Sequence, residues 1–194
     1  RIITRRIELL KEELEKVRAH RMRYRARRKK SRIPVVALVG YTNAGKSTLL
    51  NQLSNADVYV ADQLFATLDP TTRRVDLPDG QTVLFTDTVG FIQKLPTELV
   101  ASFRATLEEI SEADVLLHVV DITHENASAQ AKSVQETLVE IGAGDIPMLT
   151  AFNKIDLLKD PETAVSTLED FSNTFPISAK TGRGLDALLS AVEA

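Results

Sequence analysis

The chain has 194 residues, of which 43% are hydrophobic and 26% are charged, and its formal net charge is −3. This composition is that of a folded globular protein rather than of a disordered or collagen-like chain. Cysteine is absent, which excludes disulfides and thiolate metal sites, and no apolar run approaches the roughly 18 residues that a membrane-spanning helix needs. We therefore expect a cytoplasmic protein without stable membrane insertion.

The first 32 residues differ sharply in charge from the rest of the chain. They carry 14 Lys and Arg and four Glu, a net charge of +10, whereas the remainder carries −13. Apolar residues recur in this segment with heptad spacing, at Ile3, Ile7, Leu10, Leu14 and Val17. Such spacing predicts a helix that packs on another helix. We expect that partner helix upstream, which predicts that the chain begins within a longer protein.

Residues 18–32 are almost purely basic and contain one aromatic residue, Tyr24. Two interpretations stay open: a solvated, like-charged linker, or a surface that binds RNA phosphates, with Tyr24 stacking on a base. A basic arm on an acidic domain favours a polyanionic partner. We predict two regions, a basic heptad-patterned helix at 1–32 and a folded domain at 33–194.

From residue 33 onward, apolar strands alternate with helices. Strands are predicted at Val35–Val39, Arg73–Leu77, Thr82–Thr86, Val115–Val120, Pro147–Phe152 and Thr174–Ile177. Helices are predicted at 46–53, from about residue 96, at Ala127–Ile141, at Pro161–Asp170 and from Leu185. An Asp-Gly turn at 79–80 joins the second and third strands as a hairpin. The pattern predicts an α/β fold with a doubly wound, mostly parallel six-stranded sheet that has one antiparallel edge strand. The glycine-rich loop at residues 40–47, between the first strand and its helix, narrows this prediction to a P-loop NTPase fold.

The loop after the first predicted strand carries the strongest chemical signal, the P-loop pattern Gly-x4-Gly-Lys-Ser at residues 40–47. Its two glycines let the backbone wrap closely, so that N–H groups point at phosphate oxygens. Lys46 is predicted to reach the β- and γ-phosphates and to act in catalysis, and the Ser47 hydroxyl to bind Mg²⁺. The predicted nucleotide contacts here are Gly40, Tyr41, Thr42, Asn43, Ala44, Gly45, Lys46, Ser47 and Thr48.

A second motif follows the hairpin and consists of Asp87, Thr88, Val89 and Gly90, all predicted to lie against the nucleotide. Asp87 ends a strand and is predicted to hold Mg²⁺ through water. The Gly90 N–H is predicted to bond the γ-phosphate and so to sense its loss on hydrolysis. This four-residue pattern gains its value from its position one hairpin after a P-loop.

A loop threonine is expected to complete the Mg²⁺ shell and to close on the γ-phosphate. Thr67, Thr71 and Thr72 are the candidates. The loop must leave the phosphate and then run the full edge strand before the turn at 79–80. Thr71 and Thr72 lie at the start of that strand, so the spacing favours Thr67. Thr67 and Gly90 are predicted to act in catalysis together with Lys46.

Two further motifs predict that the base is guanine. Asn153-Lys154-Ile155-Asp156 follows an apolar strand, and Ser178-Ala179-Lys180 follows the next one. The Asp156 carboxylate can accept bonds from N1–H and the exocyclic amine of guanine, a donor pair that adenine lacks. Asn153 is predicted to tie this loop to the P-loop, the Lys154 stem to cover the base, and the Ala179 N–H to donate to guanine O6.

With these motifs together, the chain resembles the HflX family of ribosome-associated GTPases from about Ile33 to its end. The resemblance rests on Gly-Tyr-Thr-Asn-Ala-Gly-Lys-Ser-Thr (40–48), Phe-Ala-Thr-Leu-Asp-Pro-Thr (65–71), Asp-Thr-Val-Gly-Phe-Ile (87–92) and the stretch from Leu95-Pro96 to Leu107-Glu108. It implies that Thr67 is a Mg²⁺ ligand. It also places Phe65, Ala66, Thr67, Leu68 and Asp69 among the nucleotide-contacting residues.

The resemblance implies more about the whole protein. In the family an N-terminal domain is joined through a helical hairpin to the GTPase domain, and residues 1–32 look like the second arm of that hairpin. The family binds the large ribosomal subunit and its RNA, and it splits or rescues stalled ribosomes. For this chain we expect GTP and GDP as ligands, Mg²⁺ as cofactor and a monomeric state.

Phe91 and Asn43 bear on how hydrolysis is driven. A phenyl ring at Phe91 cannot orient the attacking water as a glutamine can, so hydrolysis should be slow without an activator. One candidate activator is the ribosome. Another is K⁺ held by Asn43, which occupies the position of a ligating Asn in similar potassium-dependent GTPases. The alternative for Asn43 is an amide that stabilises the loop.

Two other functions compete with a ribosome-linked GTP hydrolase. One is an RNA-binding GTP switch with negligible hydrolysis, anchored by residues 18–32. The other is a signalling G protein that acts only on protein partners, which leaves the basic arm without a role.

Overall fold

The computed structural model describes residues 2–31, 33–55, 70–92, 104–160 and 171–194. The chain divides into two compact units, Arg1–Ile33 and Pro34–Ala194. The predicted helix at Pro161–Asp170 and the predicted helix start near residue 96 lie outside the described residues, as does the segment 65–69.

The first unit consists of helix α1, Ile2–Ser31. The predicted heptad positions Ile3, Ile7, Leu10 and Val17 are all exposed, with Ile3 at 76%; the side chain of Leu14 lies outside the description. Across the described residues, no helix combines the length and the apolar character needed to cross a membrane.

The second unit is built on a six-stranded sheet. Its strands are β1 (Val35–Val39), β2 (Thr71–Asp76), β3 (Thr82–Asp87), β4 (Val115–Asp121), β5 (Met148–Asn153) and β6 (Thr174–Pro176). Their order across the sheet is β2-β3-β1-β4-β5-β6. Only β2 and β3 pair in antiparallel fashion among these strands, and the other four pairs are parallel. The predicted fold class and its antiparallel edge strand are confirmed.

Helices cover both faces of this sheet. They are α2 (Lys46–Ser54), α3 (Arg104–Ser111), α4 (Ala127–Glu140) and α5 (Leu185–Glu193), with a short 3-10 helix at Ile155–Leu157. β1 is buried along its whole length and its side chains alternate between two apolar clusters. Val36 and Leu38 pack with residues of α2 and α5, whereas Ala37 and Val39 pack with residues of α3 and α4. Burial on both faces explains why the central strands are continuous apolar runs.

Candidate nucleotide site

The loop between β1 and α2 passes very close to neighbouring strands. A Cβ atom on Gly40 would lie 2.3 Å from the backbone oxygen of Val119 in β4. At Gly45 the backbone is left-handed, with φ of 99°, and a Cβ atom would lie 2.3 Å from Asn153 Nδ2. Glycine is therefore required at both positions, because a side chain would collide with a neighbouring atom. At Gly45 the left-handed backbone is a second reason. The result is a loop that wraps tightly at the carboxyl end of the sheet, where ligands bind in doubly wound folds.

Lys46 begins α2 and directs its ammonium group back into the loop. Its Nζ donates to the backbone oxygens of Gly40 and Tyr41, at 3.2 and 3.1 Å. Burial lowers the pKa of Lys46 to about 8, and the nearby Asp87 carboxylate opposes this shift. The loop thus holds a desolvated positive charge, which an anionic ligand can neutralise.

Ser47 and Asp87, the described members of the predicted Mg²⁺ set, lie side by side. The Ser47 hydroxyl donates to Asp87 Oδ2 at 2.5 Å, and Asp87 is buried at the end of β3. A hydroxyl that donates its proton to a carboxylate keeps its lone pairs for a cation. Oxygen atoms of this kind are the ligands that Mg²⁺ prefers, so the pair fits the ion. Thr67, the third predicted ligand, lies outside the described residues, as do Phe65, Ala66, Leu68 and Asp69.

The segment after β3 is joined to the glycine-rich loop through its backbone. Thr42 N donates to Phe91 O at 2.8 Å, and Phe91 N donates to Gly40 O at 3.0 Å. Between them, a Cβ atom on Gly90 would lie 2.6 Å from Thr42 Cα. Gly90 is therefore held against the glycine-rich loop at residues 40–47, hereafter the phosphate loop. In this position the Gly90 N–H is suited to donate to a terminal phosphate.

The side chains of this segment point away from the loop. The Thr88 hydroxyl donates to Leu38 O at 2.6 Å and so ties the segment after β3 to β1. Val89 and Phe91 are fully buried in the apolar cluster that contains Val39. The Phe91 ring belongs to the hydrophobic core and cannot reach an attacking water.

Asn153 links three loops through one buried amide. Its Nδ2 donates to Ala44 O in the phosphate loop at 2.9 Å, and its Oδ1 accepts from Ala179 N at 2.9 Å. The first bond is the link predicted from the sequence. The second changes the prediction for Ala179: its N–H donates to Asn153 rather than standing free, so a contact to guanine O6 would have to share it.

Asp156 carries the predicted base-reading carboxylate. It lies exposed in the 3-10 helix after β5, and its Oδ1 accepts from the Ser178 hydroxyl at 2.6 Å. Ser178 is fully buried, and its Oγ also accepts from Thr181 N at 3.1 Å. A buried serine therefore orients the carboxylate, which gives Ser178 a positioning role. The neighbouring Lys180 is exposed.

A family described as 50S ribosome-binding GTPase matches residues 35–154, well over half of the chain. The chain belongs to this GTPase family. Residues 35–154 run from β1 through Lys154 and therefore contain the described phosphate loop, Asp87 and Asn153. The predicted GTPase class is confirmed at the level of the family.

Curated relatives show which kind of GTPase this chain is similar to. GTPase HflX of Caldanaerobacter subterraneus subsp. tengcongensis is 51% identical over 193 residues, covering 100% of this chain and 44% of the relative. GTPase HflX of Escherichia coli K12 is 48% identical over 194 residues, covering 99% and 45%. The predicted resemblance to HflX is confirmed, and the chain spans less than half the length of these relatives.

Solved structures agree with the fold. The crystal structure of a GTP-binding protein from the archaeon Sulfolobus solfataricus in complex with GDP has a TM-score of 0.70 and 29% identity. The match covers 98% of this chain and 57% of that chain. The chain is thus similar in fold to a protein whose crystal structure contains GDP.

Two residues near the site were not singled out by the sequence. Asp121 ends β4 and pairs with Lys154, and His118 is buried in the middle of the same strand. The only sequence signal for Asp121 is an aspartate at the end of an apolar strand, a position shared by many turn residues. His118 interrupts an apolar run, which is equally consistent with a core residue.

Proposed function

We propose that this GTPase domain binds GTP and GDP, prefers guanine to adenine, and hydrolyses GTP slowly without an activator. The carrying observation is the Asn153 amide, which bonds both the phosphate loop and the Ser178-Ala179-Lys180 loop. It supports a single site in which phosphate recognition and base recognition are fixed relative to each other. Asp156, oriented by the Ser178 hydroxyl, supports guanine as the base, because its carboxylate is suited to the paired N–H donors of that base.

Mg²⁺ belongs to the proposal as the cofactor of the nucleotide. Ser47 and Asp87 would hold it, with Thr67 proposed as a further ligand. When bound, the ion neutralises phosphate charge. Lys46 contributes by binding phosphate oxygens with an ammonium that the free loop already holds in place, and the Gly90 N–H by bonding the γ-phosphate.

The burial of Phe91 in the core supports slow intrinsic hydrolysis. Among the described residues, we find no side chain suited to act as general base beside the phosphate loop. We propose that the large ribosomal subunit stimulates turnover, with the basic residues 18–32 contacting its RNA. The family's description as 50S ribosome-binding and the +10 charge of the first 32 residues support this. We further propose residues 1–32 as a helical region separate from the GTPase domain at 33–194, and the cytoplasm as the site of action.

Asn43 is the proposed ligand of a K⁺ ion beside the phosphates. Its backbone is left-handed, with φ of 62°, and its side chain is exposed. The amide makes no hydrogen bond to the described part of the chain, which disfavours the loop-stabilising alternative. Asn43→Gly is the matched variant, because glycine keeps this backbone conformation and removes only the amide.

GTP turnover measured in K⁺ and in Na⁺, each with and without large ribosomal subunits, tests these proposals together. We expect subunits to accelerate turnover, and K⁺ to accelerate it in the wild type but not in Asn43→Gly. Equal K⁺ stimulation in Asn43→Gly would contradict the Asn43 assignment, and turnover unchanged by subunits would contradict the ribosome link.

The basic segment has its own control. Four cations within it are replaced by Gln, namely Arg21, Arg23, Arg25 and Arg27, and compared with four replaced outside it, namely Arg5, Arg6, Lys11 and Lys16. Phosphate contacts predict that the first set loses more affinity for ribosomal RNA and shows a shallower salt dependence. Equal losses in both sets would indicate only a general charge effect.

A second candidate function is an RNA-binding GTP switch with negligible hydrolysis. The burial of Phe91 in the core favours it, because the position after Gly90 then offers no group to the attacking water. Single-turnover hydrolysis on large subunits separates the two functions: measurable phosphate release supports the hydrolase, and its absence supports the switch.

A further inference from the structure

Asp121, at the end of β4, lies against Lys154 of the Asn153-Lys154-Ile155-Asp156 motif. Asp121 Oδ2 accepts from Lys154 Nζ at 2.7 Å, and their side chains are 15% and 29% exposed. The pairing of strands explains the contact: β4 and β5 are parallel neighbours, and Asp121 stands in register with Asn153, the residue before Lys154. Each strand thus delivers one member of the pair to the same edge of the sheet.

The Asp121 carboxylate is held in one orientation. Its second oxygen, Oδ1, accepts from Thr123 N at 3.0 Å and from Thr123 Oγ1 at 2.6 Å. Both oxygens therefore have donors, and the one that faces Lys154 cannot rotate away without breaking the bonds to Thr123. A charged pair whose carboxylate is fixed by further hydrogen bonds contributes more to stability than a pair of mobile side chains on the surface.

Lys154 connects this carboxylate to the phosphate loop. Its Nζ also donates to the backbone oxygen of Asn43, at 3.1 Å. Both Lys154 and Asn43 have left-handed backbones, with φ of 71° and 62°. Such conformations cost free energy in residues other than glycine and persist where surrounding contacts fix them. The ammonium group between Asn43 and Asp121 is one such contact.

We propose that Asp121 is a positioning residue for nucleotide retention. It fixes the Lys154 ammonium against Asn43. The Asn153–Asp156 loop is then held on the phosphate loop by this contact as well as by the bond from Asn153 to Ala44. Loss of its charge frees the lysine and loosens both left-handed residues, which opens the site and speeds nucleotide release. This inference rests on the proposed function, because it requires that guanine nucleotides occupy the site.

Release of a fluorescent GDP analogue, chased with excess GDP, measures the effect. Asp121→Asn retains an oxygen for the Thr123 bonds and removes the charge that holds Lys154. We expect release about tenfold faster than in the wild type, as for loss of a charge-assisted hydrogen bond. Asp114→Asn is the matched control: Asp114 flanks the opposite end of β4, where its carboxylate accepts from Val35 N at 2.8 Å. We expect it to leave the release rate unchanged.

A double-mutant cycle distinguishes positioning through Lys154 from a general structural role. Lys154→Met should also speed release, and adding Asp121→Asn to it should produce no further acceleration. Effects that multiply, or a release rate in Asp121→Asn equal to that of the wild type, overturn the inference. If Asp121→Asn does not fold, Thr123→Val carries the test, because it removes one of the bonds that orient the carboxylate and should speed release to a smaller extent. A wild-type domain that binds no GDP overturns the proposed function instead.

Discussion

We predict that His118 makes the GTPase domain lose stability in acid. It lies in the middle of β4, 1% exposed, with its ring edge-on to Phe171 at a centroid distance of 6.4 Å. Its Nδ1 atom is buried without a hydrogen-bond partner in the described part of the chain. Burial lowers the pKa of His118, and the positive charge of Lys46 acts in the same direction, so that together they bring it to about 4.

The sign of the effect follows from the two protonation states. The folded domain holds His118 neutral down to about pH 4, whereas the unfolded chain binds the proton below its ordinary pKa of 6.5. Stability is therefore fully present above pH 6.5 and is lost as the pH falls from there toward 4. Between pH 7 and pH 5 the linkage amounts to about 2 kcal/mol of unfolding free energy.

Urea unfolding of the nucleotide-free domain at pH 7 and pH 5 measures this difference. We expect His118→Leu to reduce the loss between the two pH values by about 2 kcal/mol, whatever its effect at pH 7. His124, exposed in the loop after β4, provides the control, and His124→Gln should retain the wild-type loss. An equal loss in His118→Leu and in the wild type would refute the reasoning.

Two further predictions concern the phosphate loop. Lys46→Ala should abolish detectable GTP binding or reduce turnover by at least about 100-fold, since it removes the buried ammonium proposed to bind the phosphates. Lys159→Ala, at an exposed lysine, should change neither. Near-normal kinetics in Lys46→Ala would contradict the proposed role of Lys46. Gly45→Ala places a methyl group on Asn153 Nδ2 and strains the backbone, so GDP affinity measured by calorimetry should fall at least about tenfold. Gly80→Ala has a comparable backbone, with φ of 88°, but no neighbour within 4 Å, so it should lose stability without losing affinity. Equal affinity losses in the two glycine variants would show that strain alone, rather than the Asn153 contact, is responsible.

The parts of the fold that the sequence predicts well are those with strong local signals. β1 is predicted with its observed bounds, because an apolar run of five residues leads directly into a glycine loop. α4 and α5 begin at the predicted residues, Ala127 and Leu185. Both ends of β2 and the carboxyl end of β3 differ by one or two residues from the prediction, since the chain there alternates without a sharp boundary.

The parts that the sequence does not predict depend on contacts between distant segments. The role of Asp121 arises only when β4 and β5 align and bring Lys154 beside it. The direction of the Phe91 ring is set by the backbone bonds of Phe91 to Gly40 and Thr42, which no local pattern reveals. Similarly, the Ala179 N–H meets Asn153 because the loops after two parallel strands converge.

The measurement that tests the central claim most directly compares GTP and xanthosine triphosphate binding to the wild type and to Asp156→Asn. Xanthine replaces the exocyclic amine of guanine with an oxygen, so an asparagine amide at residue 156 should donate to it where the aspartate could only accept. The account predicts that the wild type prefers GTP and that Asp156→Asn loses at least about 100-fold of that preference. Unchanged selectivity in Asp156→Asn would contradict the assignment of Asp156, and with it the claim that this site reads guanine.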